Sequence, residues 1–230
     1  MRRRESDRCV YCGRIFDAGT EKTDDHVFPK NLYPVPRRSD WDPIIVPACE
    51  DCNRKWSDAE EHFRNVVDSA GFNLASEELY LDKIQRGLRR PESKGRIRDL
   101  LSMSEAFEVD GKTRLRIYPA RDARVLNVIR KIVVGLCHHH EISTALSMER
   151  IRADVLRFRV PAEDLARLQY EQREADIVEY WYGVRTEAGV HSVWLFRFFE
   201  SIGFIAVVSE SEDGTFPWEA NLDPRGKGET

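Results

Sequence analysis

Three short stretches decide the reading of this chain: Cys9-Val-Tyr-Cys12, Asp25-His26-Val-Phe-Pro29-Lys30 and Val46-Pro-Ala-Cys49-Glu-Asp-Cys52-Asn53. Each C-x2-C knuckle presents two thiolates. Two knuckles with 36 residues between them can close a tetrahedral four-cysteine zinc site. Gly13, directly after the first knuckle, lets the chain turn there. A single knuckle is weak evidence and two are strong, so Cys9, Cys12, Cys49 and Cys52 are read as the ligands of one structural zinc.

Between the knuckles lies Asp25-His26, which closure of a zinc site would draw towards the second knuckle. Asn53 follows Cys52 and begins the approach to a helix at Ser57. A carboxylate and an amide oxygen are hard ligands suited to Mg²⁺, and an imidazole beside them can serve as a base. Phosphodiester hydrolysis asks for that set: a metal to polarise the phosphate and stabilise the leaving oxygen, and a base to activate water.

The segment from about residue 9 to 65, a quarter of the chain, resembles the HNH, or ββα-metal, nuclease family in its four-cysteine, zinc-binding subgroup. The motifs that carry the resemblance are C-x2-C, then D-H-V-x-P, then V-P-A-C-x-x-C-N-x-K. By position, the resemblance implies that Asp25 and Asn53 hold a catalytic divalent metal, Mg²⁺ or Mn²⁺, and that His26 is the general base. Many relatives carry a middle Asn a few residues before the third cysteine, where it braces the loop bearing the base. Here Ile44 falls near that place and Asp42 is the closest polar substitute.

The first 70 residues are turn-rich, with five prolines between positions 29 and 47, and predict short strands and loops. Ser57 to Asp68 reads as a helix capped by Ser57 and closed by Gly71; its acidic residues Asp58, Glu60 and Glu61 favour the N-terminal end of the dipole. Glu77 to Arg90 reads as a second helix, Pro91 to Gly95 as a break, and 96–103 as a further helical turn or two. Phe107 to Tyr118 has hairpin alternation around Asp110-Gly111, and Asp122 to Leu136 carries Val125, Val128, Ile129, Ile132 and Val133 at helical spacing. Residues 145–171 read as helical or mixed, and Ile177 to Val208 as two or three strands whose aromatics form a sheet core. Cys137 reads as packing, and His138-His139-His140 as positive charge at a helix C-terminus.

The 230 residues carry 36 Lys and Arg against 40 Asp and Glu, so a global basic charge is not what would bring nucleic acid to the chain. Residues 83–131, however, are net +8, against net -7 over 132–230. Arg86, Arg89, Arg90, Lys94, Arg96 and Arg98 are the densest basic run, equally a solvated helix face or a phosphate-contacting segment. No apolar run approaches the ~20 residues of a membrane span, and no apolar stretch follows the leading arginines, so a cytoplasmic, reducing location is expected.

The expected architecture is α+β: a zinc-stabilised ββα-metal nuclease domain over residues 1–72, then a C-terminal α+β domain over 73–230 that places DNA or binds a protein partner. The expected activity is metal-dependent DNA endonuclease. Two alternatives stand beside it: a zinc-ribbon nucleic-acid-binding module with a vestigial nuclease site, and a partner-controlled nuclease effector of a phage-defence or toxin system.

Overall fold

The chain between the knuckles doubles back as an antiparallel pair, β1 (Lys22–His26) on β2 (Ile45–Cys49), with Asp25 opposite Val46 and His26 opposite Ile45. Pro47 stands inside β2 without harm, because its missing N–H is not needed there and its carbonyl accepts from the backbone N–H of Val10 at 3.0 Å. The first knuckle therefore closes over the free edge of β2. The structure is a computed structural model, and it describes residues 7–35, 41–71, 73–81, 85–88, 94–109, 112–117, 122–173, 176–184 and 190–210.

Helix α1 (Glu50–Lys55) follows β2 directly, and α2 (Ser57–Ser69) follows α1 with only Trp56 between them. Trp56 itself is right-handed helical (φ -90°, ψ -10°), so Ser57 is the first residue of α2 and does not cap it. The expected cap fails because the backbone reaches Ser57 already turning, and the Trp56 carbonyl takes the N–H of Glu60. Glu60 is likewise more than a dipole partner, since it bonds a buried lysine described below. At the far end, Gly71 N–H closes onto the Asp68 carbonyl as the sequence predicts.

Within the helix expected over 77–90 the described residues are helical in two segments, and 82–84 and 89–90 lie outside the described residues. Helix α3 (Leu74–Leu79) starts earlier, capped by Asn73, whose side chain accepts from Ser76 N–H at 3.0 Å, and α4 is the short Gln85–Leu88. Helix α5 (Lys94–Ser102) and the hairpin β3 (Ser104–Val109) with β4 (Lys112–Ile117) follow as expected, although the Asp110-Gly111 turn lies outside the described residues.

Helix α6 (Ala123–His139) is the axis of the molecule. Asp122 caps it by accepting from Arg124 N–H, and its valines and isoleucines are buried along nearly its whole length. Against it lies a five-stranded antiparallel sheet in the order β5-β9-β8-β7-β6, built from β5 (Ile151–Val155), β6 (Gln169–Arg173), β7 (Val178–Val184), β8 (Val190–Phe198) and β9 (Ile202–Ser209). The region read as helical or mixed over 145–171 supplies both edge strands, a 3-10 turn at Met148–Arg150 and a one-turn helix, α7 (Ala162–Leu165). Edge strands such as Gln169-Tyr-Glu-Gln-Arg173 bury one face at most, so their sequences carry too few apolar residues to announce a strand.

The α+β class holds. Apolar residues from both sides of the boundary expected near residue 72 share one core. Phe63 of α2 meets Phe198 edge-on at 5.2 Å and Phe204 at 6.0 Å, and Phe28 meets Tyr180 at 5.7 Å. Gly135 lets the backbone of α6 pass Val27, the residue after His26: a Cβ there would stand 2.7 Å from a Val27 methyl. Thus β1 is positioned by the rest of the chain and not only by its own hairpin. No helix among the described residues is long and apolar enough to cross a membrane.

Candidate metal centre and the Asp25–His26 loop

The first knuckle turns through Gly13 at φ 72°, with Gly13 N–H bonded to the Cys9 carbonyl. Cys49 ends β2 and Cys52 lies in the first turn of α1, so the strand-to-helix junction presents both thiols to one side. The ligand atoms of Cys9, Cys12, Cys49 and Cys52 lie within 4.8 Å of one another, and the sulfurs of Cys12 and Cys49 are 3.8 Å apart. Zinc bound at about 2.3 Å by four tetrahedral thiolates holds its sulfurs about 3.8 Å apart, whereas a disulfide needs about 2.05 Å. The four residues fit a metal ion such as zinc.

Arg14 completes this cluster, and the motif gave no sign of it. Its Nε lies 3.4 Å from the Cys12 sulfur, while its Nη2 lies 3.5 Å from that of Cys49 and 2.8 Å from Asp51. Burial works to raise the Cys12 thiol, but the hydrogen bonds from Arg14 outweigh it and hold the group down at about 6. Burial pushes Cys9 and Cys52 upward. A guanidinium against the sulfurs offsets the excess negative charge that four thiolates leave around a dication. Cys137 is fully buried in α6, its thiol pushed up by burial to about 12, in keeping with packing.

Asn53 latches α1 onto β1: its Nδ2 donates to Thr23 Oγ1 at 3.1 Å and to the Asp24 carbonyl at 3.3 Å. Asp25, two residues from that Thr23, points into the core instead. It is 5% exposed, and its Oδ2 accepts from the Tyr11 hydroxyl at 2.5 Å and pairs with Lys131 Nζ at 2.8 Å. Lys131, fully buried on α6, also donates to Glu60 and, at 3.2 Å, to the backbone carbonyl of His26. Burial lifts the Glu60 carboxyl, with Lys131 pulling the other way, and burial together with Asp25 drives the Tyr11 phenol well above its usual range.

Asp25, His26 and Asn53 are therefore gathered on one strand-helix unit, while the Asp25 carboxylate joins a polar network with Tyr11, Glu60 and Lys131. The signal for Lys131 was present in the sequence: it interrupts an otherwise apolar face between Val128 and Ile132. Summed into the basic block of 83–131, that information was lost.

The His26 ring stacks on Trp41 at 5.7 Å and 7° between planes. Asp42 does not brace this loop; it is exposed and pairs with Arg173 at 3.4 Å. The bracing comes from backbone, Val27 N–H to the Ile44 carbonyl at 3.0 Å, which any residue at position 44 can provide.

One other expectation needs correction. His140 bonds Tyr180 and Tyr182 at 3.0 and 3.1 Å, and burial lowers its pKa to about 4. Burial lowers His138 and His139 too, which disfavours the positive charge expected at this helix end. Of the basic run, Arg86, Lys94 and Arg98 are exposed, Arg89 and Arg90 lie outside the described residues, and so does the side chain of Arg96. No family model matches the chain, and no curated protein or solved structure matches it either.

Proposed function

We propose that the chain is a metal-dependent DNA endonuclease. The observation that carries this reading is the β1–β2–α1 unit, which puts Asp25 and His26 at the end of one strand and Asn53 on the helix latched to that strand, beside the four-cysteine cluster. Asp25 and Asn53 would hold the divalent ion. Both Asp25 contacts use Oδ2, and the Asn53 amide nitrogen is engaged by β1, so one oxygen of each side chain is the natural donor.

When bound, the ion supplies Lewis-acid stabilisation of the phosphate and the leaving oxygen. The chain does the rest. His26 takes the proton from the attacking water through its imidazole, whose plane is set by Trp41. Lys131 fixes the backbone of His26 and the rotamer of Asp25 together, so the base and the ligand keep a constant separation. The cysteine cluster ties both ends of the unit together.

The test is nicking of supercoiled plasmid in Mg²⁺ or Mn²⁺. His26→Ala is expected to lose about 10²–10⁴-fold in rate while keeping zinc and fold. Activity in EDTA, or wild-type activity of His26→Ala, would remove the proposal. A second reading, a zinc-stabilised nucleic-acid-binding module, draws on the ammonium 2.8 Å from Asp25, which competes with a metal for that carboxylate. It predicts DNA binding without cleavage in any divalent ion.

A further inference from the structure

A cavity of about 760 Å³ opens between the end of α2, α3 and the turn from β8 to β9, and neither the cysteine cluster nor Asp25, His26 or Asn53 lines it. Four carboxylates line it, from Asp68, Glu77, Asp176 and Glu200, together with the Tyr80 phenol; none of the described lining residues is basic. Asp68 is the unusual member. It is 4% exposed, and neither of its carboxylate oxygens has a hydrogen-bond partner. Burying a polar group without a partner costs on the order of 1–3 kcal/mol, and more for a charge, so such a group in a cavity wall marks an interaction still to be made. The nearby Arg64 acts on Asp68 through its charge but makes no hydrogen bond to it, its guanidinium being bonded to Asn65 and Glu61.

The lining of the site favours an organic cation over a metal ion. Among the described residues only the four cysteines bring metal-ligand atoms together; the carboxylates of this cavity are spread around it. Its volume lies in the range of small-molecule sites. Several anionic groups around one cavity match the several ammonium groups of a flexible polyamine.

We propose that this cavity binds a linear polyamine, with Asp68 facing one ammonium group and Glu77, Asp176 and Glu200 receiving the others. The site is independent of the nuclease reading. Its test is calorimetric titration of the zinc-loaded full chain with spermidine at physiological ionic strength. Saturable one-to-one binding is expected, weakened at least about tenfold by Asp68→Asn, which is isosteric and removes an unpaired buried charge, and weakened also by Glu200→Gln on the surface turn. Ca²⁺ and Mg²⁺ at matched ionic strength should not displace spermidine. Absence of saturable binding, equal affinity in the two variants and wild type, or stoichiometric displacement by Ca²⁺ each overturns the proposal.

Discussion

Replacing Lys131 with Met tests whether the buried cation holds the Asp25 loop. Lys131 is fully buried and contacts Asp25, itself 5% exposed, as well as Glu60. Removing one partner of a buried ion pair and leaving the other charge in place costs about 3–5 kcal/mol. With a urea m-value of about 2–3 kcal/mol/M for a chain of this size, the unfolding midpoint should fall by roughly 1–2 M, followed by tryptophan fluorescence with zinc present. The pH dependence has a definite sign. The Glu60 carboxyl is raised in the folded chain, so its contribution to stability is complete below its unfolded value and is lost as pH rises through the folded one. Lys131 is the influence opposing that rise, so in Lys131→Met the folded value climbs further and the deficit grows from acidic to alkaline pH. The triple variant Asp25→Asn, Glu60→Gln, Lys131→Met removes every charge of the cluster and should recover most of the loss. A single variant within about 1 kcal/mol of wild type at alkaline pH, on the scale of an exposed pair, or a triple variant no better than the single, refutes the assigned role.

The four-cysteine cluster predicts about one metal ion per chain from the four-ligand geometry; Cys49→Ala should lose it and unfold the N-terminal strands, whereas Cys137→Ser should keep it, and elemental analysis decides. Asp68 is raised by burial to about 7 in the folded chain, so wild-type stability should decline as pH rises from about 4 to 7, and Asp68→Asn should flatten that slope. At pH 8 the Asn variant should be more stable by on the order of 2–4 kcal/mol; equal pH profiles in denaturant titrations would end that reading. Gly135→Ala adds a Cβ 2.7 Å from Val27 in a fully packed region, and should destabilise by on the order of 1–2 kcal/mol despite the better helix propensity of Ala. A rise in melting temperature would show that α6 and Val27 separate easily.

Local pattern carried much of the architecture. The paired knuckles marked the four thiols as one cluster, and the periodicity of 122–136 marked α6, because each knuckle and each helical turn is a short pattern of residue types. The aromatic, β-branched run after Ile177 marked the central strands of the sheet for the same reason. What local pattern missed lies where a residue's meaning depends on a distant partner. Ser57 looks like a cap until the preceding Trp56 proves helical, and the strands at the sheet edges lack the apolar content that would separate them from loops.

The four-cysteine cluster was thus legible in the sequence alone, since ligand chemistry prescribes residue types at short, recognisable spacings. Only the tertiary structure decided that Lys131, more than a hundred residues after Asp25, would enter the core and bind it, that Arg14 would face the sulfurs, and that Asp68 would be buried without a partner. A buried charge is stabilised or stranded by whatever the fold brings to it across the chain, and that pairing is set by packing geometry, which no local sequence pattern encodes.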